Sequence, residues 1–255
     1  MTSVAVITGG GGGLGRATAR ALAARGYDVA LTGRTRSTLD ETAAAVEALG
    51  RKALVLEGDV GDAVHVARFF AASLEQLGPC DALLHAAATH GTPMPFADAP
   101  DEELDHVIQT NLRGTFLVTR AALRQMAGRG GSIVLVSSAG TLRGFPLAAP
   151  YAATKSALAG FARTLAAEVG SDNIRVNVLT PGAMPETAIY QSAMPGIAVE
   201  LGIAAEDGQT LLEEMSALGR ACTPAEIANA VVFLATDDSS AMTGQNLVVD
   251  AGLTV

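Results

Sequence analysis

The sequence predicts an α/β fold in which a parallel sheet is covered by helices on both faces, and three observations carry that expectation. Short β-branched runs alternate with longer Ala- and Leu-rich segments, most of the short runs are continuously apolar, and five glycines stand between the first short run and the first long one. Alternating βα units build parallel sheets, and strands covered on both faces show no polar side. With 255 residues, 49% hydrophobic, and a mean hydropathy of +0.33, the chain can bury a large core and does not have the composition of a disordered protein. Doubly wound sheets often run to about 250 residues as one domain, so residues 1–255 are expected to form a single domain.

The elements follow in order. The run 4–8 is the first strand, and the glycines lead from it into a helical window at 14–25. Further strands are read at 28–32, 52–56, 82–86, 132–137, 175–179 and 246–249. Between them, apolar spacings of three and four predict helices at 37–49, 62–77, 101–127, 151–169 and 224–236. The stretch 183–218 holds Pro185, Pro195, Gly196, Gly202 and Gly208 among short apolar clusters, so short helices in a mobile substrate lid are expected there.

Composition excludes several functions. A net charge of −9 offers no basic face to a nucleic-acid backbone. No apolar run approaches the roughly 18 residues of a membrane span. Met1, Thr2 and Ser3 enter the first strand without the basic region of a signal peptide, so a cytoplasmic protein is expected. Cys80 and Cys222 are too few and too far apart for a disulfide framework or a Cys-based metal site.

The glycine run is a dinucleotide-binding signal because of where it stands. Glycines permit positive φ and close backbone approach to a pyrophosphate, whose charge then meets free N–H groups at a helix N-terminus. Five consecutive glycines allow several registers, including GxGxxG at Gly10, Gly12 and Gly15. An acid at the end of the second strand would bond a ribose 2′-OH. The strand instead ends Thr32-Gly33-Arg34-Thr35-Arg36, without a carboxylate, and Arg34 suits a 2′-phosphate by charge and bidentate geometry. NADP(H) is therefore expected, with NAD(H) as the alternative.

Tyr151 and Lys155 carry the most specific chemistry. At i and i+4 they share a helix face, and an ammonium near a phenol favours the phenolate, so the pair can exchange a proton with a carbonyl or alcohol. Ser138 stands where the fifth strand ends, at the edge where open α/β sheets bind ligands, and its hydroxyl can hold a substrate oxygen.

Across essentially its whole length the sequence resembles the short-chain dehydrogenase/reductase family. The family's TGxxxGxG matches Thr8, Gly9, Gly13 and Gly15, with Leu14 inside it, and its YxxxK matches Tyr151 and Lys155. Its active-site Ser and Asn fall on Ser138 and Asn111. Gly58-Asp59-Val60, Asn177-Val178-Leu179-Thr180-Pro181-Gly182, Thr243-Gly244 and Val249-Asp250-Ala251-Gly252 are further matches. The resemblance implies a Rossmann-type sheet of seven parallel strands in the order 3-2-1-4-5-6-7. It places Asp59 and Val60 at the adenine, Ala87, Pro181, Gly182 and Met184 beside the nicotinamide, and Lys155 on the nicotinamide ribose. Tyr151 would handle the proton while Asn111 holds a relay water. The implied reaction moves a hydride between the nicotinamide and a carbonyl or secondary alcohol, with reduction favoured.

Two departures stand out. His85-Ala86-Ala87-Ala88 replaces the family's NNAG, which predicts a local structural change and no chemical role for His85. In Pro181-Gly182-Ala183-Met184-Pro185-Glu186-Thr187 the family's Thr arrives one residue late, which bears on the carboxamide contacts. The lid window holds Glu186, Glu200, Glu206, Asp207, Glu213 and Glu214 without a Lys or Arg, beside Met184, Ile189, Tyr190, Met194, Ile197 and Leu201. A neutral, moderately apolar ketone, aldehyde or alcohol is expected, unless the acids simply face solvent. Small residues along 151–169 permit close helix packing, and the resemblance implies a homo-oligomer, dimer or tetramer. Rival readings are an NAD-linked alcohol dehydrogenase, a 3-oxoacyl reductase or an epimerase on the same site, and a non-enzymatic NADP sensor or scaffold on the same fold.

Overall fold

The computed structural model describes residues 2–204 and 207–255. Seven strands form one parallel sheet: β1 (Val4–Thr8), β2 (Asp28–Gly33), β3 (Ala53–Glu57), β4 (Ala82–His85), β5 (Gly131–Val136), β6 (Ile174–Pro181) and β7 (Asn246–Val249). Their order is β3-β2-β1-β4-β5-β6-β7, as the resemblance implied. The chain runs outward in one direction from β1 and in the other from β4. The strand order therefore reverses between β1 and β4, and ligands bind at such switch points.

Alternate strand residues face opposite layers, which explains the continuously apolar runs. Ile7, Leu31 and Val134 join one core with α1 (Gly13–Ala24), α2 (Arg36–Glu47) and α9 (Pro224–Ala235). Val6, Ala30, Ile133 and Leu135 join the other with α3 (Ala63–Gln76), α5 (Gly114–Met126) and α6 (Ala149–Val169). Among the described residues, no helix is long and apolar enough to cross a membrane.

The window 101–127 is one continuous helical run with a π-turn inside it. It comprises α4 (Asp101–Ile108), a π-turn over Gln109–Arg113 and α5 in one helical path. A π-turn inserts one residue into the helical ladder without altering the apolar spacing enough for a sequence pattern to show it. Asn111 lies in that turn. The lid window becomes two helices, α7 (Ala188–Leu201) and α8 (Asp207–Met215). Of the lid residues singled out above, Glu206 and the side chain of Leu201 lie outside the described residues.

Candidate active site

A cleft of about 710 Å³ opens over the C-terminal ends of the strands and runs from the glycine turn to α7 and α8. At the nucleotide end the glycines differ in how closely their surroundings approach. Gly9 has φ +67°, and a Cβ on it would sit 2.9 Å from the Ala87 backbone N. On Gly15 a Cβ would sit 2.9 Å from Gly10 Cα, whereas Gly12 and Gly13 meet nothing nearer than 3.2 Å. Gly9 and Gly15 of TGxxxGxG are thus closed by backbone, Gly10 and Gly11 are confined by the side chains of Leu31 and Thr38, and α1 starts at Gly13 with its N-terminus on the cleft. Gly9, Gly13, Leu14, Gly15, Arg34, Asp59, Val60, Ala87, Pro181, Gly182 and Met184 all line it. This backbone cradle fits a dinucleotide pyrophosphate. Arg34 is exposed at its rim with no ion pair among the described residues, while Arg36 pairs with Asp40 and Arg16 with Glu41. Asp59 spends one oxygen on Gly61 N–H at 2.7 Å.

Thr8 is not on the cleft wall. Its Oγ1 lies 2.8 Å from His85 Nδ1 and accepts from Ala87 N–H at 3.2 Å. His85 thus ties β4 to β1 where the resembled family has an amide, and burial lowers its pKa to about 3, so the ring is neutral.

At the other end Ser138 follows β5, and Tyr151 stands in the first turn of α6. Pro150, at the start of that helix, needs no N–H there. Leu147, with φ +66°, holds a left-handed conformation that costs about 1–2 kcal/mol and turns the chain into α6. Ser138 Oγ accepts from Gly140 N–H at 3.2 Å and lines the cleft together with Tyr151. Lys155 Nζ lies 5.9 Å from the Tyr151 ring centroid and donates to the Val136 carbonyl at 2.7 Å.

One expectation about this group needs correction. Lys155 was expected to draw the Tyr151 pKa down, but burial of the phenol dominates and raises it, and Ser138 is what works the other way. Burial also lowers Lys155 itself, to about 8. Asn111 was expected to hold a relay water. It does not line the cleft: its Oδ1 accepts from Thr89 N–H at 2.9 Å, and its Nδ2 donates to Thr89 O at 2.9 Å and to Thr154 Oγ1 at 3.1 Å. Its backbone carbonyl accepts from Thr115 Oγ1 at 2.6 Å.

Three cleft residues were missed or undervalued. His90 stacks on Tyr151, Arg143 brings a cation to the wall, and Tyr190 brings a phenol from α7. Arg143 and His90 lie in loops where no periodicity reports direction. The described lid acids do not line the cleft, and Glu186, Glu200, Asp207 and Glu214 are exposed, so they say nothing about the substrate. Met184, Ile189, Met194 and Ile197 do line it.

A phosphate cradle at one end of a cleft and a hydroxyl pair beside a buried lysine at the other define a class of dinucleotide-dependent oxidoreductases. The chain belongs to the short-chain dehydrogenase/reductase family, whose members act on carbonyl and alcohol groups with nicotinamide cofactors. The family profile described as enoyl-(acyl carrier protein) reductase matches residues 10–254. A short-chain dehydrogenase/reductase of Armillaria gallica is 35% identical over 98% of this chain and 95% of its own. Among solved structures, a variant of actinorhodin polyketide ketoreductase with NADPH superposes with a TM-score of 0.93 at 31% identity, covering 99% of this chain and 97% of that one. Levodione reductase does so with a TM-score of 0.93 at 32% identity and the same coverage.

Proposed function

We propose that the protein is an NADP(H)-dependent reductase of neutral, moderately apolar ketones or aldehydes, with Tyr151 as the proton donor. The observation that carries this reading is the half-buried Tyr151 phenol on the cleft wall, with Ser138 on the same wall and Lys155 Nζ 5.9 Å from its ring centroid. A phenol kept neutral at pH 7 is ready to give its proton to a carbonyl oxygen that is becoming an alkoxide. Bound NADPH supplies the hydride. Ser138 shares its hydroxyl between Tyr151 and the substrate oxygen, which fixes the carbonyl for attack. Lys155 turns from the Val136 carbonyl toward the nicotinamide ribose and restores the charge that favours the phenolate after transfer. Asn111 acts as a clamp on the 89–92 segment, and Arg34 holds the 2′-phosphate. Similarity to the NADPH-bound ketoreductase and to levodione reductase supports both cofactor and direction.

The same reading makes α7 and α8 a lid and the molecule a homo-oligomer. Phe116 on α5 is 43% exposed and lies 4.9 Å, centroid to centroid, from Phe161 on α6, an apolar pair on two helices that supports self-association. Arg143 favours one alternative, a 3-oxoacyl reductase whose substrate carries an anionic tail. A screen of NADPH oxidation over ketones, aldehydes, quinones and 3-oxoacyl thioesters, with alcohols in reverse, tests the proposal. NADPH-linked reduction of neutral ketones is expected. Faster turnover with NADH, or none with any neutral carbonyl, overturns it.

A further inference from the structure

His90 stands against the Tyr151 phenol at the inner end of the cleft. Its ring lies 4.8 Å from that of Tyr151, centroid to centroid, at an interplanar angle of 27°. The Gly91 backbone is a polar neighbour, yet Nδ1 is shielded from solvent without a hydrogen-bond partner. Buried polar atoms nearly always find a partner, so each exception asks for a reason.

The segment that carries His90 is fixed by bonds to its flanks. Asn111 takes both backbone groups of Thr89, and Thr92 N–H donates to Glu103 Oε1 at 2.6 Å. Gly91 has φ +75°, and a Cβ there would lie 2.7 Å from Val107 Cγ2, so no other residue fits the turn. What this braced segment delivers to the cleft is an imidazole beside the phenol. Tyr190 repeats the pattern on α7, its Oη also buried without a partner. Gly196 of the same helix packs on Pro93, where a Cβ would come within 3.3 Å, so α7 rests on the segment that carries His90.

We propose that His90 and Tyr190 are binding residues for a second oxygen on the substrate, which makes the preferred substrate a ketone bearing a further hydroxyl or carbonyl group. This rests on the reductase reading above. A neutral imidazole offers one donor and one acceptor, and a phenol can do either, so both kinds of oxygen can be met. Burial keeps His90 neutral, so it gives no preference for an anion. Its stacking on Tyr151 sets the second oxygen within a few bonds of the reacting carbonyl.

The test compares cyclohexanone with 3-hydroxycyclohexanone and cyclohexane-1,4-dione. The readouts are kcat/KM with NADPH, Kd for the NADP+-loaded protein, and the imidazole ¹⁵N shifts, assigned by their loss in His90→Phe. Wild type is expected to favour an oxygenated probe about tenfold, the size of one net hydrogen bond, mainly through KM and Kd. His90→Phe keeps a ring for stacking and should bring the ratio near one, His90→Gln should recover part of it, and Tyr190→Phe should lower it separately. Equal ratios in wild type and His90→Phe overturn the proposal, as do ¹⁵N shifts that ignore the oxygenated probes. Absence of NADPH oxidation with every ketone strikes the reductase reading instead, while the Kd ratios and shifts still decide the role of His90. Should His90→Phe fail to fold, the ratios in His90→Gln and Tyr190→Phe decide it.

Discussion

At the nucleotide end of the cleft the walls are backbone, whereas at the substrate end they are side chains. Gly9 and Gly15 leave no room for a Cβ, and a Cβ on Gly182 would sit 2.7 Å from Asp250 Cα. That end is set by chain path, carried on the ends of strands buried in two cores. The other end is closed by Met194, Ile197, Leu211 and Met215 on two helices that lean on each other, with Gly208 of α8 seated against Met194. Thr187 joins the two regions, because its Cγ2 lies 3.2 Å from where a Gly13 Cβ would be. A surface made of backbone tolerates only glycine and so marks the sequence. A surface made of side chains can be rebuilt residue by residue, so it sets selectivity and leaves a weaker mark.

The largest expected effect breaks the chemistry while leaving the nucleotide end intact. Tyr151→Phe should lower turnover by about 10²–10⁴, the range of general acid–base catalysis, with NADPH affinity changed only a few-fold. Turnover near wild type on a confirmed substrate would show the phenol to be structural. Stopped-flow rates and fluorescence titration of NADPH measure the two effects separately.

Lys155→Met should separate function from stability. The Lys155 pKa is lowered from 10.5 to about 8 by burial, so between those values the unfolded chain binds more protons than the folded one. Stability should therefore rise with pH across that window, and below pH 8 the full penalty, a few kcal/mol, opposes folding. The variant loses that penalty and the bond to Val136, so its Tm at pH 7 should equal or exceed that of wild type and lack the alkaline rise, while turnover collapses. Thermal melts from pH 7 to 10.5 check this, and a variant far less stable than wild type at pH 7 contradicts it.

Arg34→Ala probes a charged side chain at the nucleotide end. Loss of charge-assisted bonds to a 2′-phosphate should weaken NADPH by about 1.5–3 kcal/mol and leave NADH nearly unchanged. Equal losses for both nucleotides would place Arg34 away from the phosphate.

The smallest effect concerns His85. Its folded pKa of about 3 lies below the ordinary 6.5, so as pH falls through 6.5 the unfolded chain takes a proton that the folded chain refuses. Stability should fall with acid across that window, by on the order of 2 kcal/mol at pH 5. His85→Asn, which restores the amide of the resembled family, should flatten that slope in urea melts at pH 5 and 7. An unchanged slope would assign the acid sensitivity to other groups.

The strands at 4–8 and 246–249 were legible to the residue, because buried parallel strands are apolar runs bounded by turns. Tyr151 and Lys155 were legible as a pair because helical spacing fixes their common face. The π-turn at Gln109–Arg113 was not, since it is one extra residue in an unbroken helical pattern. Nor was the fate of Thr8, whose hydroxyl goes to His85, 77 residues away.

By itself the sequence determined the sheet, the glycine register's candidates, the family and the residues of the proton-transfer group, because these depend on local spacing and on residue types that no other side chain replaces. Only the tertiary structure decided which way the pKa values move, that Asn111 clamps Thr89, and that His90 stacks on Tyr151. Burial, long-range hydrogen bonds and ring stacking arise between segments distant in the chain, and periodicity along one segment carries no record of its neighbours in space.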